Sequence, residues 1–319
     1  MGFNMKLLDN EELQRMVDYS FGDHSGVLGG VPNAYMKSAN SSSMWEIQKF
    51  VKFIETLDKE VITLFIDNIR LYKRPLEYSD WLHLKPISRQ DREWLDLFRY
   101  DTLLGLLDGV SLYSKKKFVI FTAFEDTPLD DYIWDKIPEN VVAIYAANAV
   151  VFGGKLHPFP HGIERIMYPG YNHHELLSNA IECTVEPYKA LFVAHRTDTG
   201  DRGSIGSLFQ DKEWATVTHL PYEQYLKGIQ DHKFVLCPSG NGIESARNWE
   251  TLYLRRVPIF KDHPYLQEMF KDFPALFVRD WDEVTEELLL ANDYLYQQAQ
   301  TMDMEKLDLD YWYNKAIHE

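Results

Sequence analysis

Short apolar segments alternate along this chain with longer amphipathic stretches, and this alternation limits the possible folds more than any other feature. The apolar segments predict strands at residues 61–66, 117–122, 141–145, 190–194, 216–219, 234–237, 257–260 and 275–278. The amphipathic stretches predict helices at residues 44–57, 91–107, 222–229, 244–254, 263–271, 281–300 and 304–318. Strands that alternate with helices are typical of proteins with parallel sheets. The sequence therefore predicts an α/β fold.

Proline and glycine interrupt this alternation once, between residues 158 and 170, and it resumes at residue 190. A chain of 319 residues is long enough for about two domains. We therefore predict an N-terminal lobe at residues 1–165 and a C-terminal lobe at residues 166–319. In such folds the ligands bind at the carboxyl ends of parallel strands, so the motifs that follow the strands are the first candidates for a site.

Charge, cysteine content and hydropathy indicate which partners and which compartment suit the chain. The chain carries 33 Lys and Arg against 49 Asp and Glu, a net charge of -16, which argues against a broad nucleic-acid interface. The two cysteines, Cys183 and Cys237, suit a reducing compartment. Residues 1–20 lack the apolar core of a signal peptide, and no run approaches the about 18 apolar residues of a membrane span. We expect a cytoplasmic protein without an integral membrane segment.

The segment from Lys233 to Glu250 carries the strongest local signal. An apolar strand ends at Pro238, a Gly240-Asn241-Gly242 turn follows, and a helix is predicted to begin at Ile243 or Glu244, with Asn241 or Gly242 near its N-cap. Free backbone N–H groups and the helix dipole at such a turn favour a bound anion. The predicted diphosphate cradle comprises Pro238, Ser239, Gly240, Asn241, Gly242 and Ile243.

Three charged side chains follow this turn at helical spacing. Arg247 is predicted to clamp a phosphate, Glu250 to accept two ribose hydroxyls, and Glu244 to meet sugar hydroxyls at the mouth of the site. An ordinary capped helix, in which Arg247 and Glu250 form a solvated ion pair, explains the same spacing. Both interpretations remain open at this point.

This segment resembles the nucleotide-sugar site of exostosin-like glycosyltransferases. Their pattern is a strand FVLCP, a GxG turn, an acidic residue, then Arg and Glu at successive intervals of three, and later a Val-Pro-Ile strand, here Val257-Pro258-Ile259. The resemblance covers residues 117–278 loosely and 233–260 specifically. The family usually has Asp where Glu244 stands, and Gly at Arg255 or Arg256, which leaves the donor sugar open.

The resemblance implies a GT-B architecture, in which two Rossmann-like lobes face each other across a cleft. The donor would bind the C-terminal lobe and the glycan acceptor the N-terminal lobe, onto which the terminal helix would pack back. Arg196 and Arg202 resemble arginines near the family's first C-terminal strand and would help to hold the diphosphate. No tightly bound cofactor is implied, since the nucleotide sugar is a substrate.

The base that would deprotonate the acceptor hydroxyl is harder to assign. Asp126 is the first choice and Glu125 the second, because both follow the strand at 117–122. Asp67, His161 and His195 also follow strands and are further options. In GT-B enzymes arginines and helix N–H groups usually neutralise the diphosphate instead of a metal, so the resemblance implies no metal site. We read Asp308-Leu309-Asp310 as a solvated helix face.

The first hypothesis is therefore an inverting, metal-independent transfer of a sugar from a uridine-linked donor to a glycan hydroxyl. The alternatives are a fucosyltransferase-like enzyme with a guanosine-linked donor, and a non-catalytic glycan-binding protein on a transferase fold. A membrane-free enzyme of this kind suits a bacterium or a virus.

Overall fold

The structure is a computed structural model that describes residues 5–21, 50–66, 103–122, 129–163, 172–183, 185–195, 202–240 and 242–318. The chain divides into two compact units. The N-terminal unit comprises Asn10–Pro160 and Tyr313–Glu319, and the C-terminal unit comprises Met1–Asp9 and His161–Trp312. The sequence predicted one boundary at 165/166, whereas these units divide between Pro160 and His161.

The N-terminal unit contains a parallel sheet. Its described strands, in sheet order, are β1 (Tyr19–Phe21), β2 (Val61–Ile66), β3 (Lys117–Thr122), β4 (Val141–Ala146) and β5 (Leu156–Pro158). Helices α1 (Asn10–Met16) and α2 (Leu103–Val110) belong to the same unit. The last five residues of β2 and of β3 are all buried, because a parallel sheet is covered on both faces.

The C-terminal unit contains a second parallel sheet. Its strands are β6 (Lys189–Val193), β7 (Ala215–Val217), β8 (His232–Leu236), β9 (Val257–Lys261) and β10 (Leu276–Val278). Its helices are α3 (His173–Glu182), α4 (Arg202–Phe209), α5 (Tyr222–Gln230), α6 (Ala246–Tyr253), α7 (Pro264–Phe270), α8 (Glu286–Ala291) and α9 (Asp293–Thr301). The last helix of the chain, α10 (Leu309–His318), begins in this unit.

Strand order in the C-terminal unit marks a place for a ligand. The order is β10-β9-β8-β6-β7, so the chain runs outward from β6 to β7 and returns to place β8 on the other side of β6. Parallel sheets bind ligands where the strand order reverses, outside the carboxyl ends of the two central strands. The reversal here lies between β6 and β8, and the Gly240 turn follows β8.

Tyr313 anchors the end of the chain within the N-terminal unit. Its ring stacks on Phe121 at 5.5 Å between centroids, and its hydroxyl donates to the carbonyl of Met16 at 3.0 Å. The same hydroxyl lies 3.3 Å from the hydroxyl of Thr63. The neighbouring Trp312 donates instead to the carbonyl of Lys306, within the C-terminal unit.

The predicted fold class is confirmed: each unit is a Rossmann-like α/β structure with a parallel sheet. All eight predicted strands are present, and their ends differ from the prediction by two residues at most. The strands β1 and β5, each three residues long, were not predicted. Helices α1, α3 and α4 were not predicted either.

The prediction of one helix at 281–300 is wrong. This stretch forms a short 3-10 helix, Trp281–Glu283, followed by α8 and α9. Asp280 caps the first piece, and the Thr285 hydroxyl caps α8 by accepting the amide of Leu288 at 3.2 Å. Asn292 then ends α8 by donating its side-chain amide to the carbonyl of Leu288 at 2.8 Å. Such polar side chains compete with the helical backbone and favour helix ends.

The stretch predicted as a helix at 304–318 is likewise divided, because the 3-10 helix Met304–Leu307 ends at Asp308 before α10 begins. Of the helix predicted at 44–57, residues 50–57 are described, and only 50–54 are helical. Of the helix predicted at 91–107, residues 103–107 are described, and they form the first part of α2. Among the helices of the described ranges, none has both the length and the apolar character needed to cross a membrane.

Candidate functional site

The turn after β8 is a compact, internally bonded loop. The Cys237 amide extends the sheet by donating to the carbonyl of Ile259 at 2.9 Å. The Gly240 amide donates to the carbonyl of Gly242 at 2.9 Å, and the Ser239 hydroxyl donates to the carbonyl of Ile243 at 3.0 Å. The predicted strand is therefore present, and hydrogen bonds link Ser239 and Gly240 to Ile243 and Gly242. Asn241, which was predicted to belong to the cradle, lies outside the described residues.

Helix α6 begins later than the sequence predicted. Its N-cap is Ser245, and its first residue is Ala246. The side-chain carbonyl of Asn248 accepts the Ser245 amide at 2.6 Å, which satisfies an N–H group at the helix start. The expected N-cap at Asn241 or Gly242 is wrong, because the extended backbone of Ser245 with the Asn248 side chain starts the helix instead.

Arg247 carries buried donors that no described residue satisfies. Its Nε and Nη1 atoms are buried and make no hydrogen bond within the described ranges, and its Cζ lies 5.9 Å from the ring centroid of Tyr225. No described carboxylate bonds to these atoms, so the solvated Arg247–Glu250 pair considered above is not what the structure contains. Guanidinium donors that are buried without a partner are costly unless an anion completes them.

Glu250 lies deep beside Arg247, and two phenols fix it. Its side chain is 3% exposed. The Tyr222 hydroxyl donates to Oε1 and the Tyr225 hydroxyl donates to Oε2, each at 2.9 Å. Both tyrosines lie on α5, where a spacing of three residues brings them to one face. A carboxylate offers about four lone-pair sites and no donor, so Glu250 acts as an acceptor for hydroxyl groups.

The aromatic side of this cluster is tightly packed. The His173 ring stacks on Tyr222 with 3.7 Å between centroids and 21° between planes. Burial, followed by the Glu250 charge, raises the pKa of Tyr225 well above its ordinary value, so this phenol remains a donor at neutral pH. The sequence placed Tyr222 and Tyr225 on a helix but did not predict that they bind Glu250. The Tyr-x-x-Tyr spacing was the available signal.

Glu244 does not lie at the mouth of the site, where it was expected to meet sugar hydroxyls. It is 2% exposed, and its Oε1 accepts the backbone amide of His161 and the indole N–H of Trp249, both at 2.5 Å. Its Oε2 accepts the Tyr265 hydroxyl at 2.8 Å. Burial raises the pKa of Glu244 to about 7, against the opposing effect of these donors. This carboxylate therefore packs inside the C-terminal unit.

Arg202 contacts the loop itself. It is 8% exposed, its Nε donates to the carbonyl of Ser239 at 2.8 Å, and its Nη2 donates to the carbonyl of Pro238 at 3.1 Å. Arg202 thus contacts the loop that leads into α6, and α6 carries Arg247 and Glu250. Arg196, the second arginine predicted there, lies outside the described residues.

Five side chains were predicted as candidates for the general base. Asp126, Glu125 and Asp67 all lie outside the described residues. His195 is described and buried, and its Nε2 lies 3.3 Å from the carbonyl of Arg202. His161 is bound through its backbone amide to Glu244.

The two carboxylates of Asp308-Leu309-Asp310 form structural contacts within the C-terminal unit. Asp308 accepts the amide of Asp310 at 2.8 Å, and Asp310 pairs with the Lys6 ammonium at 2.8 Å. In the described ranges, no group of three or more His, Cys, Asp or Glu side chains has the arrangement of a metal site. Burial raises the pKa of Cys237 to about 12, so its thiol stays protonated.

The departure from the family pattern after α6 has a structural explanation. Arg255 has φ +54°, the left-handed conformation at a helix C-terminus that favours glycine. Its guanidinium donates to the carbonyls of Gln300 at 2.8 Å and Met302 at 3.2 Å, at the end of α9. Arg256 is buried and donates to the carbonyls of Gln230 and Val185. Both side chains therefore hold neighbouring backbone segments rather than the Gly240 turn.

Comparisons with known proteins give similarity at the level of solved structures. No protein-family model and no curated protein sequence matches the chain. A glycosyltransferase from Rickettsia africae ESF-5 aligns at 9% identity with a TM-score of 0.44, over 87% of this chain and 81% of that one. MurG from Acinetobacter baumannii aligns at 10% identity with a TM-score of 0.32, over 85% of this chain and 73% of that one.

Proposed function

We propose that this chain is a GT-B glycosyltransferase whose nucleotide-diphosphate sugar binds the C-terminal unit at the carboxyl ends of β6 and β8. The observation that carries the proposal is Arg247, whose buried Nε and Nη1 find no partner among the described residues. These atoms lie on the helix that follows the Gly240 turn, with the fixed carboxylate of Glu250 nearby. A diphosphate is the anion that this combination fits, because planar guanidinium groups bind phosphate oxygens in pairs.

The geometry of the described residues supports the following roles within the donor site. Arg247 and amides of the loop at 239–243 would neutralise the charge that develops on the departing diphosphate, which is the main electrostatic demand of glycosyl transfer. Glu250, held in place by Tyr222 and Tyr225, would accept hydrogen bonds from the ribose hydroxyls. The hydrogen bonds from these phenols orient the carboxylate before the donor arrives, which lowers the entropic cost of binding.

The general base, the stereochemical outcome, the acceptor and the donor nucleotide are proposed from the sequence alone. Asp126, or Glu125 as the second choice, would take the proton of the acceptor hydroxyl while its oxygen attacks the anomeric carbon. The sugar would then transfer with inversion, and the diphosphate would leave with its negative charge held by Arg247 rather than by a metal ion. The acceptor is a glycan hydroxyl, and the donor nucleotide is uridine-linked.

The test is nucleotide binding followed by transfer. UDP and GDP would be titrated into the full chain by calorimetry and thermal denaturation, with EDTA present. A ligand at 100 times its Kd stabilises the folded state by about 2.7 kcal/mol, which is enough to raise the melting temperature measurably. We expect UDP to bind, and its sugar conjugates to be hydrolysed slowly or transferred to added glycans.

The outcomes separate the alternatives. Binding of GDP and not UDP would replace the uridine donor by a guanosine donor and keep the site. Nucleotide binding without hydrolysis or transfer, over a panel of sugars and glycans, would contradict the enzyme and favour a glycan-binding protein. Failure of both nucleotides to bind at millimolar concentration would overturn the proposed function, and full dependence on a metal would overturn the mechanism.

A further inference from the structure

Arg202 connects helix α4 with the loop that follows β8, beside the point where the strand order reverses. It is the first residue of α4, which follows β6, and its side chain reaches the loop that follows β8. The residue is 8% exposed, which is unusual for an arginine and means that its contacts are within the protein.

The hydrogen bonds of Arg202 fix the direction in which the carbonyl and amide groups of the loop point. Its guanidinium binds the carbonyls of Pro238 and Ser239, at 3.1 and 2.8 Å. The described chain has no cis peptide bond, and in a trans peptide the N–H points opposite to the C=O. The amides of Ser239 and Gly240 therefore point away from Arg202, and that of Gly240 closes the turn on Gly242. Two carbonyl dipoles that would repel an anion are held on the arginine's side of the loop.

Gly240 fits this arrangement for a steric reason. A Cβ atom at this position would lie 2.8 Å from Nη2 of Arg202, which is closer than real Cβ contacts. The backbone of Gly240 is not in the left-handed region, so conformational freedom does not explain the glycine. A side chain at position 240 would have to displace the Arg202 guanidinium, which its own hydrogen bonds hold against the loop.

The backbone of Arg202 is itself supported. Nε2 of His195, two residues after the end of β6, lies 3.3 Å from the Arg202 carbonyl. A chain of contacts therefore runs from the end of one central strand, through Arg202, to the loop after the other. This series of contacts begins directly after β6 and ends directly after β8, so both of its ends are attached to strands of the sheet.

We propose that Arg202 is a positioning residue that fixes the Gly240 turn with its carbonyls turned away from the diphosphate, in place of the direct phosphate ligand that the family resemblance implies. This inference rests on the proposed function. It predicts that the two hydrogen bonds, and not the positive charge alone, are what the site needs from Arg202.

The structural half of the inference is tested by a double-mutant cycle of stability in the full chain. Gly240→Ala, Arg202→Gln and the double variant would be compared by urea denaturation with no nucleotide present. We expect Gly240→Ala to reduce stability in the wild-type background. The same change should have a clearly smaller effect in the Arg202→Gln background, because the shorter side chain leaves room for the Cβ. Additive effects would refute the contact.

The functional half of the inference is tested by measuring the affinities of the wild type and the Arg202 variants for UDP and for uridine. Each titration is carried out below the melting temperature of the variant. We expect Arg202→Gln to weaken UDP binding at least about 10-fold and to leave uridine binding unchanged, since only the phosphates contact the loop. A loss of folded protein would weaken both ligands alike. Arg202→Lys keeps the charge, but a lysine is a point charge that cannot hold two carbonyls in a fixed fork.

We therefore expect Arg202→Lys to lose UDP affinity nearly as far as Arg202→Gln does. Recovery of UDP binding in Arg202→Lys would show that the charge itself contacts the phosphates, and would overturn the positioning role. If the wild type bound neither UDP nor GDP, the proposed function would fail, while the stability cycle would still decide whether Arg202 holds the loop.

Discussion

Replacement of Arg247 by methionine should separate ligand binding from stability. The change removes a positive charge whose buried Nε and Nη1 have no partner among the described residues, and keeps most of the aliphatic volume. Unsatisfied buried polar groups cost about 1–3 kcal/mol each, so their removal favours folding. Loss of the arginine's contact with the buried Tyr225 ring, at 5.9 Å from the centroid, opposes this by about 2 kcal/mol. We expect the free energy of unfolding to stay equal or rise.

Donor binding should respond in the opposite direction. A hydrogen bond to a charged group contributes about 1.5–3 kcal/mol, so the loss of one weakens diphosphate binding about 10- to 150-fold. Calorimetric titration gives the affinity, and urea denaturation gives the stability. Arg279→Met is the matched control, because it makes the same charge change at a side chain that is 87% exposed.

Two results would refute this reasoning. A fall in unfolding free energy of more than about 2 kcal/mol, absent from the control, would show that Arg247 stabilises the fold rather than awaiting a ligand. Wild-type UDP and GDP affinity in Arg247→Met would show that the diphosphate binds elsewhere.

Three further predictions concern the neighbourhood of the site. Tyr225→Phe removes a donor to Glu250 and should weaken uridine and UDP binding alike, by about 5- to 10-fold, in the same titrations. The pKa of Glu244 lies at about 7 in the folded chain and near 4.5 unfolded, so wild-type stability should fall as pH rises through this window. Glu244→Gln should lack this loss of about 3 kcal/mol in urea titrations between about pH 4.5 and 8, and a parallel pH profile would contradict the assignment. Arg255→Gly should be more stable than Arg255→Ala by about 1 kcal/mol, because φ is +54°, and equal melting temperatures would count against that conformation.

Local patterns in the sequence predicted the parts of the site that depend on neighbouring residues. The strand before Pro238, the turn at Gly240 and the placement of Arg247 and Glu250 on one helix follow from periodicity and spacing alone. These features are set within a few residues of chain, where propensity is informative.

The parts that the sequence could not predict depend on distant residues. Glu244 turns inward because His161 and Tyr265 supply its donors, and neither is near it in the chain. Arg202 binds carbonyls that follow a different strand, so its orientation needs the strand order as well as the strands. The phenols that hold Glu250 come from the preceding helix in the same way. Long-range packing of this kind leaves no periodic signal.

The central claim is that the C-terminal unit binds a nucleoside diphosphate at the Gly240 turn. A crystal structure of the full chain grown with UDP, or with GDP if that is the nucleotide that binds, tests it most directly. We predict phosphate oxygens within hydrogen-bonding distance of Arg247 and of amides of the turn, with ribose hydroxyls on Glu250. A nucleotide bound in the N-terminal unit, or one whose phosphates lie away from Arg247, would contradict the claim.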